Sequence, residues 1–146
     1  MIEIKHLSKS YNKGSVKAVD DLNLNVRPGE IFGFLGPNGA GKTTTIKMMV
    51  GLLNPDSGTI RLAGFDTAEN PLEAKRQTGY VPDNPDVYDR LTGIEYLNFL
   101  ADVYEVPVKE RCERISQLLD MFDLTDAVGD LIKSYSHGKI GRASCR

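Results

Sequence analysis

Gly36-Pro37-Asn38-Gly39-Ala40-Gly41-Lys42-Thr43 decides how the chain reads. The stretch fits G-x-x-x-x-G-K-[ST], the phosphate-binding loop. A triphosphate needs several backbone N–H groups aimed at it at once. Gly36, Gly39 and Gly41 allow backbone angles, and a close approach, that a Cβ would obstruct. Lys42 brings a point charge for the β- and γ-phosphates, and the Thr43 hydroxyl is placed to ligand Mg²⁺. The positive end of a following helix, through Thr44, would complete the cradle.

The flanks match what such a loop requires. Glu30-Ile31-Phe32-Gly33-Phe34-Leu35 is a short apolar run and predicts a buried strand. Thr44 to Val50 predicts a helix with Ile46, Met49, Val50 and Leu53 on one side, stopped by Gly51. A chance glycine-rich turn would not carry the Lys-Thr pair and both flanks together.

Outward from the loop, the chain opens with β structure. Ile2, Ile4 and Leu7 mark a first strand, followed by a turn at Asn12-Lys13-Gly14. Val16 to Val19 and Leu22 to Val26 predict two further strands, and Arg27-Pro28-Gly29-Glu30 a turn. Beyond the loop, Asn54-Pro55-Asp56-Ser57-Gly58 is a turn and Thr59 to Leu62 a strand. Glu69 to Gln77 predicts a short helix with Pro71 near its start. Thr78 to Pro82 predicts another strand. From Asn84 the strands stop. Thr92 and Glu95 form a capping box before a helical period at Ile94, Leu97, Leu100, Ala101 and Tyr104. Val108, Cys112, Ile115, Leu119 and Phe122 define a second amphipathic helix, with Cys112 as a small core residue and the intervening charges as a solvated face.

Composition narrows the class. The 146 residues are enough for one domain with a core. Hydrophobic residues make up 40% and charged residues 26%, as in an ordinary globular protein. A net charge of −2 gives no sign of a nucleic-acid surface. The longest apolar runs reach about six residues, against roughly twenty for a bilayer span. Cys112 and Cys145 form no metal or disulfide pattern, so a reducing cytoplasm is the natural compartment. Asn12-Lys13 is followed by Gly14-Ser15, which is not the Asn-Lys-x-Asp motif that a GTPase needs.

Tyr11, the Val26-Arg27-Pro28-Gly29-Glu30 turn, the phosphate loop and Gly51-Leu52-Leu53-Asn54-Pro55-Asp56-Ser57-Gly58-Thr59-Ile60 together resemble the ATP-binding subunit of ABC transporters, in the drug-resistance branch. The resemblance runs from about Ile2 to Gly138. It implies an α/β fold: a P-loop NTPase core, here incomplete, with an N-terminal antiparallel β part and a helical subdomain. It places the β-rich part and core at 1–83 and the helical subdomain at 84–139. It implies ATP and Mg²⁺ as cofactors. Tyr11 would stack on adenine; a phenol face offers roughly 1–3 kcal/mol to any base. The plain alternative is a strand-edge tyrosine with no ligand. Asp83 stands where the family has a glutamine that reaches the Mg²⁺ and water region. It is equally readable as a turn residue in Asp83-Asn84-Pro85.

Ser134-Tyr135-Ser136-His137-Gly138 resembles the start of a variant ABC signature. Ser136 and Gly138 would hold the γ-phosphate of ATP bound to a second nucleotide-binding subunit. His137 occupies a glycine-like position there, not a catalytic one, and no catalytic residue is assigned. The family then expects a helix, a strand ending in Asp-Glu, and a later histidine. Nothing after Gly138 supplies them, and residues 140–146 read as a non-native tail. The implied whole is a transport ATPase subunit, peripheral at the cytoplasmic face of the membrane and paired with transmembrane permease subunits, with no nucleic-acid partner. The alternatives are a soluble ABC-type ATPase without a membrane partner and an inactive fragment.

Overall fold

The apolar alternation at the start of the chain forms β1 (Ile2–Tyr11), which pairs antiparallel with β2 (Val16–Val26) and β3 (Ser57–Leu62). A short β4 (Phe65–Asp66) completes a sheet of order β2-β1-β3-β4. The structure is a computed structural model that describes residues 1–82, 88–136 and 138, with backbone only at Lys13. The chain divides into two compact units, Met1–Tyr80 and Val81–Arg146.

Strict alternation from Ile4 would bury His6, yet Leu7 is buried instead. The ladder explains this. Between Ile4↔Leu24 and Leu7↔Leu22, β1 carries one residue more than β2, and between Leu7↔Leu22 and Lys9↔Val19 the excess lies on β2. His6 and Asp21, both at φ 50, sit within these bulged stretches. Their side chains meet (His6 Nδ1 to Asp21 Oδ1, 2.8 Å), and Asp21 N–H donates to Ser8 Oγ at 3.0 Å. The break at Asp20-Asp21, which reads as a gap between two strands, is therefore a bulge inside one. Gly58 lies opposite: a Cβ there would collide with the His6 carbonyl, and its φ of 93 is one that glycine tolerates.

Helix α1 (Lys42–Met49) buries Thr45 and Met48, and Met48 joins a core with Ile4, Leu7, Val19, Ile60 and Leu62, with Met49 and Leu53 at the edge. Thr45 and Met48 thus lead the buried face, ahead of the predicted Ile46 and Val50, which are half-buried. Gly51 stops the helix as expected. At φ 71 it donates to Met48 O (3.2 Å), and Leu52 N–H reaches back to Lys47 O (2.9 Å), a Schellman closure. Helix α2 (Pro71–Arg76) begins at its proline and buries Ala74.

Two predicted strands are absent. Residues 30–35 form no strand; Ile31 is 101% and Leu35 93% exposed. Residues 78–82 form none either. A strand exists through its hydrogen-bonding neighbour, and the sheet of described residues offers neither segment one.

In the second unit, α3 (Gly93–Val103) and α4 (Val108–Met121) form where their patterns predict. Arg111 of α4 ties them, donating to Asp102 Oδ1 at 2.7 Å and Val106 O at 3.2 Å. The expected core position of Cys112 is not realised: it is exposed, as is Val108, and no α4 residue is fully buried. The amphipathic face of α4 has only part of its cover among the described residues. Burial here centres on Leu124, Ala127, Ile132 and Tyr135, whose hydroxyl donates to Ala127 O at 2.6 Å.

The capping box is formed in full. Thr92 N–H and Oγ1–H each donate to Glu95 Oε2 at 2.8 Å, and Glu95 N–H donates to Thr92 Oγ1 at 3.3 Å. The Thr92 backbone N–H, then its hydroxyl, hold the Glu95 carboxyl below the usual glutamate range. The native state thus favours the ionised form. This stabilisation is complete above the unfolded-state value and is lost as pH falls through the lower folded one. Far-UV circular dichroism should show helix loss below about pH 4, and Glu95→Gln should remove that component.

Candidate nucleotide-binding site

The loop between residue 36 and α1 is closed from both sides. Ala40 N–H donates to Pro37 O at 3.2 Å, which makes a tight turn over Asn38 and Gly39. Gly39 and Gly41 stand at φ 84 and 80. Gly41 is the N-cap of α1, and a Cβ there would run into the Ala18 carbonyl of β2. Only glycine lets the loop lie directly on the strand. Thr45 then locks it from inside: its N–H (2.8 Å) and its hydroxyl (2.9 Å) both donate to Gly41 O.

Lys42 closes the other side. Its Nζ donates to Gly36 O at 2.6 Å and Pro37 O at 2.7 Å. An ammonium has three donors, so one is left for a phosphate oxygen. The first N–H groups of α1 have no partner within the helix and carry its positive end. Thr43 is exposed in this first turn and Thr44 half-buried. A phosphate chain fits such a cradle. For Mg²⁺, the Thr43 hydroxyl is an available oxygen donor. Among the described residues no three His, Cys, Asp or Glu side chains gather as a metal site.

Tyr11 ends β1, opposite Val16 of β2, and is 42% exposed. Ala18, two residues along β2 from Val16, is the residue under Gly41. Two strand residues span about 7 Å, so Tyr11 and the phosphate loop share one end of the β1–β2 hairpin. Ser136 and Gly138 belong to the second unit, with Ser136 exposed directly after the buried Tyr135. Asp83 and His137 lie outside the described residues. Two supports were not read from sequence, Thr45 and Ala18. A threonine four residues after a loop glycine was a usable signal for Thr45, since its hydroxyl can reach the i−4 carbonyl. Nothing local marks Ala18.

Loop, capping glycine and helix on a β layer define a P-loop nucleoside-triphosphate-binding unit. The ABC transporter family model matches residues 19–144, and the chain belongs to that family. It is 36% identical over 99% of its length to the uncharacterized ABC transporter ATP-binding protein YhcH of Bacillus subtilis. It is 42% identical over 94% of its length to the daunorubicin/doxorubicin resistance ATP-binding protein DrrA of Streptomyces peucetius. It spans 47% and 41% of those two proteins. A solved ATP-binding subunit of an ABC transporter superposes with a TM-score of 0.87 at 33% identity, covering 99% of this chain and 59% of that one.

The two glycines separate conformational strain from close approach. Gly39 has open space around a would-be Cβ, so Gly39→Ala should cost only the left-handed penalty of ~1–2 kcal/mol. Gly41→Ala adds a collision with backbone and should destabilise the first unit more. Thermal unfolding of the two variants side by side measures the difference.

Proposed function

We propose that this chain is part of an ATP-binding subunit that couples ATP binding and hydrolysis to transport across a membrane. The closed phosphate loop with its spare Lys42 donor is the observation that carries the reading. The family and the drug-resistance relatives support the transport context. In this reading ATP lies along the loop, its phosphates on the α1 N-terminus and Lys42, its base against Tyr11. Mg²⁺, held in part by Thr43, would neutralise phosphate charge. Asp83 takes the place of the family's glutamine at the Mg²⁺ and water region. Ser136 and Gly138 act on nucleotide held by a second such subunit, and permease subunits anchor the pair at the cytoplasmic face of the membrane.

Phosphoryl transfer by this class is positioning and charge. The carboxylate pair and histidine that the family uses to orient water have no counterpart in the sequence after Gly138. We therefore propose that the 146 residues bind nucleotide without turning it over.

Lys42→Ala removes a charge-assisted contact of roughly 1.5–3 kcal/mol. ATP affinity should fall about ten- to a hundredfold, measured by titration calorimetry of the folded chain. Equal affinities would sink the role given to Lys42. With Mg-ATP, phosphate release should stay at the level of the Lys42→Ala control. Release that depends on Lys42 would mean that a carboxylate within these residues does the water-orienting work.

A further inference from the structure

Tyr11 stands where the sheet runs out of partners. On one side β1 stays paired with β2 to the end, Ser10↔Lys17 and Tyr11↔Val16. On the other side its last partner in β3 is Ser57, opposite Ser8. Beyond Ser8 that edge of β1 has no strand beside it among the described residues. A strand end paired on one side only would fray.

Asp56 fills the gap. Its backbone N–H donates to Ser8 O at 2.9 Å, continuing the β3 ladder by one residue. Its side chain then turns along β1. One carboxylate oxygen accepts from Ser10 N–H at 2.7 Å and the other from Lys9 Nζ at 2.7 Å. The Lys9 side chain is mostly buried, at 15% exposed, while the Asp56 side chain is 46% exposed, so the pair is sheltered at its Lys9 end and open to water at the carboxylate. The ammonium, then the Ser10 N–H, hold the carboxyl below the usual aspartate range. It is charged at neutral pH and grips the residue immediately before Tyr11.

We propose that Asp56 is a positioning residue for the nucleotide base: by holding Ser10 N–H where the pairing with β3 has ended, it fixes the Tyr11 ring over the phosphate-loop end of the β1–β2 hairpin. This rests on the reading of Tyr11 as the base-stacking residue. Asp56 touches no nucleotide itself. It acts by sparing the ring the entropy of being ordered on binding.

The test compares a ligand with a base to one without. ATP and inorganic tripolyphosphate, each with MgCl₂, are titrated calorimetrically into the chain and its variants. Tyr11→Ala should weaken ATP by roughly five- to a hundredfold and leave tripolyphosphate within about twofold. Asp56→Ala should weaken ATP by roughly three- to tenfold, again with tripolyphosphate unchanged. Placed on Tyr11→Ala, it should add nothing, because the two act as one unit. Asp56→Asn keeps an oxygen for Ser10 N–H and should restore most of the ATP affinity. If the alanine variant does not fold, Asp56→Ser, whose hydroxyl stops a bond short of Ser10, takes its place with the same expected outcome. Loss of both ligands together, loss of neither, or additive losses with Tyr11→Ala would overturn the positioning role. If Tyr11→Ala itself spares ATP, the stacking reading falls first. An Asp56 effect confined to the stability of the chain would then be all that remains.

Discussion

The approach of Gly41 to the Ala18 carbonyl is the contact on which the first unit depends. It sets the N-terminus of α1 directly on β2, with no side chain between. Everything functional then follows from where β2 lies. Met48, two turns on, reaches the core between Ile4, Leu7 and Ile60. Thr45 is carried under the loop, where it binds Gly41 O twice. Burying a threonine hydroxyl is unfavourable unless it is hydrogen-bonded, so burial and loop closure are one event here. The loop's C-terminal side is thus as fixed as the hydrophobic core.

What was legible in the sequence is what local chemistry determines. The capping box at Thr92 and Glu95, the glycine stop at Gly51 and the proline start of α2 each follow from a few neighbouring residues, and each is present. The phosphate-loop motif was legible for the same reason, since the turn at Gly39 and the Lys42 bonds act within eight residues, although the contact of Gly41 with Ala18 was not. Features that depend on a distant partner were not. Ile31 to Leu35 has the composition of a buried strand but no neighbour among the described residues. Cys112 sits on an apolar stripe that nothing described covers fully. The bulges at His6 and Asp21 disturb the alternation from which strands are read, and they appear only once β1, β2 and β3 are paired. Ala18 carries no local signal because its role is to present a backbone carbonyl.

The bulges also bear on the site. Without the extra residue in β1, Leu7 and the residues after it would face the opposite side of the sheet. The sense of Tyr11 relative to the loop therefore depends on a device five residues upstream. Gly58 is the matching concession on β3, since any side chain there would meet the His6 carbonyl. The His6–Asp21 contact, Asp21 N–H to Ser8 and Asp56 to Ser10 form a chain of polar ties along β1. They hold a strand whose ladder is interrupted on both edges.

The two sides of the phosphate loop are held unequally, and this bears on how it binds. On the helix side, Gly41 and Thr45 anchor it to the sheet and core. On the other side, the chain enters through residues 30–35, exposed apart from the half-buried Phe34 and without a strand partner among the described residues. Two Lys42 bonds, to Gly36 O and Pro37 O, tie that entry to the helix. Lysine is a flexible tether, and ordering what it holds costs roughly 1–2 kcal/mol per backbone residue. A nucleotide that needs Gly36 to Gly39 in one conformation must supply that ordering from its own contacts. A strand laid beside Ile31 to Leu35 would supply it instead, cover the exposed Ile31 and Leu35 side chains, and remove an open edge that invites association. Were phosphate bound as proposed, its affinity and the cover of this apolar stretch would therefore be coupled. The Lys42 ammonium stands at this junction, since it ties the loop entry to the helix with two of its three donors.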